Sequence, residues 1–185
     1  MKKIMVFIAL FFLCTSLVYA KMDADILVKG GILASPYLNL DGDVADVDIG
    51  FILGAEGYIF PWDNLGLGLG VTHLFDTDIE NTAKKISATN FYLTAKPKIS
   101  FEGKEITALY FIGQLGFSST KIKLIDGDGV GVYVAGGVGI EAKWLIIEAI
   151  YSYTNWAIAY DTDQYKGKRA ALYTLGLNVG YKFSI

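Results

Sequence analysis

Several residue types are scarce in this chain, and each scarcity excludes a class of protein. The 185 residues include one cysteine, Cys14, one histidine, His73, and three prolines. A single cysteine provides neither a disulfide framework nor a Cys-x-x-Cys site. After residue 20, no apolar run is long enough to form a membrane helix. If the remaining chain crosses a membrane, it therefore does so as a closed β-barrel, since only a closed sheet pairs all its backbone groups in lipid.

The first twenty residues have the pattern of a secretory signal peptide. Two lysines precede an apolar core, and the small-x-small site Val18-Tyr19-Ala20 follows it. We expect residues 1–20 to be removed and residues 21–185 to form one exported domain without cysteine. A retained membrane helix is the alternative, but the apolar run is short and no stop-transfer charge cluster follows it.

The expected mature domain is acidic and rich in glycine and aromatic residues. The chain has 16 basic and 19 acidic residues, and removal of Lys2 and Lys3 leaves 14 against 19, a net charge of −5. This balance, without a basic cluster, argues against a nucleic-acid partner. The chain also has 21 glycines, 12 tyrosines and 11 phenylalanines. Such a composition indicates strands that approach one another closely.

Turn signals divide the domain into eight segments in which apolar and polar residues alternate. The predicted strands cover about 24–38, 46–60, 65–76, 88–101, 106–119, 129–142, 145–160 and 170–185. Short connections near residues 61–64, 102–105 and 143 alternate with longer polar ones such as NLDGDVAD. The pattern predicts an all-β fold, an eight-stranded antiparallel up-and-down transmembrane β-barrel with short turns at one end and long loops at the other.

The polar face of these strands is unusually small. In residues 65–71, LGLGLGV, every leucine is followed by glycine, and similar alternation occurs in 129–142 and 170–185. Glycine weakens a strand and gains nothing on a solvent-facing surface. It suits the inside of an eight-stranded cylinder, where the bore holds only interdigitating side chains. We therefore expect the apolar rows to face lipid and the small polar rows to face the lumen.

Aromatic residues are concentrated near the strand ends, as expected where rings sit at the lipid headgroups. Near the short turns lie Trp62, Phe101, Trp144 and Phe183. Near the long loops lie Tyr37, Phe75, Phe91, Phe117, Trp156, Tyr160 and Tyr173. The sequence therefore predicts two aromatic girdles, whereas a soluble core would gather its rings in the middle of the strands.

These features resemble the small eight-stranded outer-membrane barrels of the outer membrane protein A and X type. The resemblance includes the signal peptide, the alternating strands, the girdles and the terminal strand LYTLGLNVGYKFSI. It implies an outer-membrane location and insertion by the assembly machinery of that membrane. The family usually ends on an aromatic residue, whereas this chain ends on Ile185, with Phe183 two places earlier in the same row.

Seven charged residues fall on the predicted lumen rows, each near the short-turn end of its strand. They are Lys29, Glu56, Lys96, Lys98, Glu141, Glu148 and Lys182. Because unpaired charges are costly in a narrow bore, we expect an ion-pair network in the periplasmic half of the lumen. The network either fills and orders the interior or, as in the resembling family, acts as a gate when pairs exchange partners.

No catalytic, cofactor or metal site is predicted. His73 has no serine two places on, as barrels of the lipid A deacylase type would have, and we assign it to the membrane interface. The aspartates within residues 41–48 and 126–128 do not complete a calcium loop and indicate plain turns. The basic loop residues Lys84, Lys85, Lys166, Lys168 and Arg169 either contact lipopolysaccharide phosphates or are solvated loop charges.

Three functions fit this pattern. The favoured one is a non-catalytic, monomeric surface barrel, which anchors in outer-membrane lipid and lipopolysaccharide or presents its four loops for adhesion or host contact. The second is a narrow gated pore for ions or small solutes. The third is an exported soluble barrel of lipocalin type with its apolar rows inside. The small polar face and the paired girdles argue against the third.

Overall fold

A computed structural model describes residues 23–40, 42–80, 82, 84–101, 103, 106–123, 127–157 and 169–185. The expected signal peptide, Asp41, Asp126, Tyr160, Lys166 and Lys168 lie outside this part. The described strands are β1 (Ala24–Leu40), β2 (Asp43–Asp46), β3 (Gly50–Trp62), β4 (Leu65–Asp78), β5 (Lys85–Ser100), β6 (Ala108–Lys123), β7 (Gly127–Ala142), β8 (Leu145–Ala157) and β9 (Arg169–Ser184). Among these residues no helix has the length and apolar character needed to cross a membrane.

Eight of the strands form a closed barrel. From β3 to β9 each strand pairs antiparallel with its neighbour in the sequence, and β1 pairs with both β3 and β9. The closing seam between β1 and β9 runs from Asp25 opposite Ser184 to Leu40 opposite Ala170. The predicted fold class, an all-β antiparallel eight-stranded barrel, is confirmed. Closure joins the two edge strands, which would otherwise carry unpaired backbone groups.

The first long connection differs from the prediction. It contains the short strand β2, which pairs with the end of β1 from Tyr37 opposite Asp46 to Leu40 opposite Asp43. Gly42 forms the turn with a φ of 105°, in the left-handed region that glycine adopts readily. The Asp-Gly pair in this segment is a hairpin signal. As a result the next barrel strand begins at Gly50 and not near residue 46.

The two faces of the barrel wall have opposite character. Polar and charged side chains are buried on the inside, and large apolar side chains are exposed on the outside of every barrel strand. Examples from the eight strands are Ile26, Leu53, Leu69, Leu93, Leu115, Val138, Ile147 and Leu177. The apolar rows therefore face outward, and the lipocalin-type alternative is wrong. A continuous apolar outer wall is the surface that a membrane-spanning barrel requires.

Candidate functional site

Three charged side chains from three strands meet in the lumen. The Lys29 ammonium on β1 donates to Glu56 Oε1 on β3 at 2.6 Å and to Glu148 Oε2 on β8 at 2.8 Å. All three side chains are at most 2% exposed. Removing ions from water to this depth is unfavourable unless their remaining hydrogen-bonding groups are also satisfied.

Neutral donors complete the shell of Glu56. Tyr58 OH donates to its Oε2 at 2.6 Å, and Tyr92 OH and Gln114 Nε2 donate to its Oε1 at 2.8 and 3.0 Å. Tyr133 OH in turn donates to Gln114 Oε1 at 2.9 Å. A buried carboxylate with several donors is held in one orientation, so Glu56 acts as the hub of a fixed network.

Glu148 is shared between two lysines. Its Oε1 accepts from Tyr110 OH at 3.0 Å and lies 3.4 Å from the Lys96 ammonium. Lys96 also lies between two tyrosine rings, 4.4 Å from the centroid of Tyr58 and 4.3 Å from that of Tyr110. Ring faces attract a cation, particularly where water is excluded. The network therefore contains two lysines and two glutamates with balanced charge.

A second charged group lies nearer the short-turn rim. The Lys182 ammonium donates to Glu141 Oε1 and lies 3.8 Å from Asp25 Oδ2. Ser184 Oγ donates to Asp25 Oδ1 at 2.6 Å. Because Asp25 belongs to β1 and Ser184 to β9, these contacts bridge the closing seam of the barrel.

The structure thus divides the seven predicted lumen charges into three groups. Lys29, Glu56, Lys96 and Glu148 form the central network, and Glu141 and Lys182 pair at the rim. The ammonium of Lys98 lies over the Phe60 ring, 4.1 Å from its centroid.

The uncharged members of the network were not predicted from the sequence. These are Tyr58, Tyr92, Tyr110, Gln114 and Tyr133, all buried. The alternation of side chains along each strand would have identified them, because residues two places apart lie on the same face. Tyr58 is two places from Glu56, and Tyr92 is four places from Lys96.

The glycine rows provide the space that these rings occupy. A Cβ added to Gly66 would lie 3.3 Å from Tyr58 Cδ1, and one added to Gly70 would lie 2.9 Å from Glu56 Cγ and in collision with the Tyr92 ring. Large side chains on β3 and β5 therefore lie against glycines on β4. In β4 the leucines therefore form an outward row that faces lipid, and the glycines form an inward row that leaves space for the side chains of the lumen network.

An apolar cluster fills the lumen at the long-loop end, and we call it the plug. Its buried members are Leu33, Leu38, Val47, Leu74, Ile79, Ile86, Ala88, Ile122, Trp156, Ala170 and Leu172. The lumen is therefore occupied at two levels, by the paired charges and tyrosines below and by the plug above.

Trp156 belongs to the plug, so its assignment to the outer girdle is wrong. Its side chain is 2% exposed, and a Cβ on Gly129 would collide with the indole. Trp156 lies eight places after Glu148 on β8, and an even separation puts both side chains on the inner face. Proximity to a strand end indicated the girdle, but strand parity decides which side of the wall the ring occupies.

The other described girdle residues lie on the outer wall or at its ends. Trp62, Trp144, Phe183, Phe75, Phe91 and Phe117 are exposed, and Phe101, Tyr37 and Tyr173 are half-buried. Several rings pair with neighbours: Tyr37 stacks on Tyr173 with centroids 4.5 Å apart, and Trp144 stacks on Tyr181 at 5.2 Å.

His73 also lies on the outer face of its strand, in line with outward Val71 and Leu69. Its Nδ1 is 2.9 Å from Thr89 Oγ1, and its ring meets Phe75 edge-on at 5.0 Å. Within the described residues, no group of three or more histidine, cysteine or acidic side chains is arranged to hold a metal ion.

Comparison with known proteins supports the fold. No protein-family model matches the sequence, and no curated protein matches it significantly. Among solved structures, Neisserial surface protein A is similar, with a TM-score of 0.56 and 14% identity over 86% of this chain and 99% of that chain. Ail, the attachment invasion locus protein of Yersinia pestis, and OprG from Pseudomonas aeruginosa each give a TM-score of 0.47 and 16% identity over 88% of this chain, covering 99% and 96% of theirs.

At these identities the likeness concerns the fold alone. The closed eight-stranded barrel is the architecture of the small outer-membrane barrels, and the apolar outer wall is the surface that lipid requires. The chain thus has the fold of the small outer-membrane β-barrels, as the sequence predicts.

Proposed function

We propose that this protein is a non-catalytic, non-conducting barrel that anchors in the outer membrane and presents its long connections at the cell surface. The observation that carries the proposal is the double occupation of the lumen, by the buried ion-pair network and by the plug. An ion that crossed this barrel would have to separate the apolar side chains of the plug and then displace buried, paired charges.

The energetic argument favours a closed lumen. Removing one partner of a buried ion pair costs about 3–5 kcal/mol, because the other charge is left without compensation. A passing ion would interrupt the pairs of Lys29 with both Glu56 and Glu148, and would also meet an apolar constriction that water enters poorly. The network in this proposal orders the barrel interior and ties β1, β3, β5 and β8 together.

The outer surface supports the anchoring role. Exposed aliphatic side chains lie between strand ends that are rich in aromatic residues, as required for a barrel held at a fixed depth in a bilayer. Adhesion or host contact would then be the task of the long connections, since loops on a rigid scaffold most often carry function. We propose that the barrel acts as a monomer after insertion by the outer-membrane assembly machinery.

Contact with lipopolysaccharide is part of this proposal. Lys85 and Arg169 are exposed at the long-loop end of their strands, where they can reach phosphate groups above the membrane. Lys85 also lies 3.3 Å from Asp78 Oδ1, in a pair that is open to solvent. Such a pair is weak and can exchange for a phosphate contact.

The gated pore is the second candidate, and one contact favours it. Glu148 is shared between Lys29 at 2.8 Å and Lys96 at 3.4 Å, so that a shift of this carboxylate toward Lys96 would loosen the Lys29 pair. Such an exchange would widen the lower lumen, but the plug would still close the upper part.

Single-channel recording distinguishes the two candidates. The folded barrel is identified by its gel mobility, which changes when the sample is boiled. It is then reconstituted in planar bilayers, in parallel with the Glu56→Ala variant. The proposal expects no unitary current steps from the native barrel. Steps that are abolished or altered by Glu56→Ala would contradict it and establish the gated pore. Recovery of the protein in the soluble periplasm would contradict the anchoring role.

A further inference from the structure

A small, partly open chamber lies between the ion-pair network and the plug. Its volume is about 40 Å³. Lys29 and Gln114 line it from the network, and Leu33, Leu74 and Leu172 line it from the plug. The side walls carry the polar residues Thr72, Asn90, Ser152, Thr154, Thr174 and Asn178 beside the apolar residues Ile52, Ala88 and Ile150.

Two amide oxygens on these walls need hydrogen-bond donors. Asn178 is 2% exposed, and its Oδ1 is fully buried without a partner among the described residues. Asn90 Oδ1 is also buried without a hydrogen-bond partner among the described residues, although Asn90 Nδ2 donates to Thr72 Oγ1 at 3.3 Å. Leaving a buried acceptor unpaired costs about 1–3 kcal/mol, so two in one chamber require a ligand that donates.

The same wall also offers a donor. The Lys29 ammonium has three N–H groups, and within the described part of the chain Glu56 and Glu148 accept two of them. A ligand of this chamber must therefore both accept from a cation and donate to amide oxygens. The positive charge of Lys29 disfavours a metal cation here, and the amide and hydroxyl oxygens on the other walls disfavour an anion.

We propose that the chamber binds a cluster of about two or three water molecules that connect Lys29 to Asn178 and Asn90, since each enclosed water needs about 10–15 Å³ of such volume. Water is small enough for the space and has the required donors and acceptors. Hydroxyls of Ser152 and Thr174, which are 2.6 Å apart, supply further partners on the β8 and β9 wall. This water site extends the ion-pair network up to the base of the plug, and it does not depend on whether the barrel conducts.

The inference is tested by NMR on the folded barrel in lipid nanodiscs. We expect cross-relaxation between water and the side-chain amide protons of Asn90. Asn178→Leu replaces one acceptor by an apolar group of similar size and should abolish this signal. The control is Asn155→Leu, because Asn155 lies on the outer side of β8 and its Nδ2 donates to Tyr153 OH at 2.8 Å. The signal should persist in the control.

Two NMR results would overturn the inference: no water signal at Asn90 in the native barrel, or an unchanged signal in Asn178→Leu. If Asn178→Leu does not fold, a crystal structure of the native barrel at a resolution that shows ordered water provides the second measurement. It should place water within hydrogen-bond distance of Asn178 Oδ1 and Lys29 Nζ. A chamber without ordered water, or an Asn178 amide turned to a protein donor, would overturn the inference.

Discussion

Lys29 and Glu148 are separated by 119 positions in the sequence, and the Lys29 ammonium donates to Glu148 Oε2 at 2.8 Å. Their strands, β1 and β8, both flank β9, so the pair crosses the strand that closes the barrel. Gly180 of β9 lies opposite Lys29, and a Cβ there would come within 2.9 Å of Lys29 Cβ. The glycine leaves room for the lysine, and closure of the barrel forms the ion pair.

Removal of the Glu148 charge should destabilise the barrel strongly. Glu148→Gln keeps the shape but leaves Lys29 with one carboxylate partner and removes the carboxylate beside Lys96. We expect the free energy of unfolding to fall by about 3–5 kcal/mol, as for other broken buried pairs. Equilibrium unfolding in denaturant, followed in detergent micelles, measures the change.

The matched control for Glu148→Gln is Asp78→Asn. Asp78 pairs with Lys85 at 3.3 Å, and their side chains are 53% and 47% exposed. An exposed pair contributes about 0–1 kcal/mol, so this variant should unfold almost as the native barrel does. Equal effects of the two substitutions would mean that the lumen pairs are no stronger than surface pairs.

Two glycines, one on the inner face of β4 and one on the outer face of β6, should respond oppositely to alanine. Gly70→Ala adds a methyl group toward the Tyr92 ring and Glu56, which should lower the free energy of unfolding by about 1–3 kcal/mol. Gly113 lies on the outer face of β6, and a Cβ there meets no atom of the described residues within 4 Å. Gly113→Ala should stabilise the barrel by about 0.4–1 kcal/mol, because alanine lowers the conformational entropy of the unfolded chain. If Gly70→Ala stabilised the barrel, the β4 glycines would not be needed to leave room for the lumen side chains.

The position of Trp156 is testable by fluorescence. A barrel that keeps Trp156 alone, through Trp62→Phe and Trp144→Phe, should show little quenching by lipids with brominated acyl chains. A barrel that keeps Trp144 alone should be quenched several-fold more, because Trp144 is 53% exposed on the outer wall. Comparable quenching of the two would place Trp156 outside the lumen.

Lipid contact is tested by two lysine substitutions. Leu177 lies midway between outward Tyr173 and Tyr181 and is 48% exposed. Leu177→Lys should lower the free energy of unfolding in lipid vesicles by about 2–4 kcal/mol, the cost of a lysine near the bilayer midplane. Val44 on β2 is more exposed, at 63%, but lies at the long-loop end. Val44→Lys should change the unfolding free energy by less than about 0.5 kcal/mol.

Much of the fold was predictable from the alternation of residue types. The leucine–glycine row of β4 and the outward series Leu175, Leu177 and Val179 of β9 indicate which face meets lipid. The strand count, the antiparallel order and the closed barrel follow from such rows and from the spacing of turns. The pairing of β2 with β1 was missed because the Asp-Gly turn was assigned to a loop when it forms a hairpin.

The site was less predictable than the fold. Parity assigns Glu56 and Glu148 to the inner face, yet parity along one strand does not reveal which residues of distant strands lie at the same height. The partners of Glu56 come from β1, β5 and β6 as well as from its own strand. Trp156 shows the same limit, since its position near a strand end suggested a lipid headgroup contact, whereas its indole packs against Gly129 on the neighbouring strand β7.

The sequence by itself determined the strands, the lipid-facing rows and the supply of small and charged residues for the interior. These properties are local, because side chains alternate with a period of two along each strand. The tertiary structure alone decided the pairing of Lys29 with Glu56 and Glu148, the packing of tyrosines against glycines and the plug around Trp156. Those contacts depend on the stagger of eight strands, which brings residues far apart in the chain to one height in the bore.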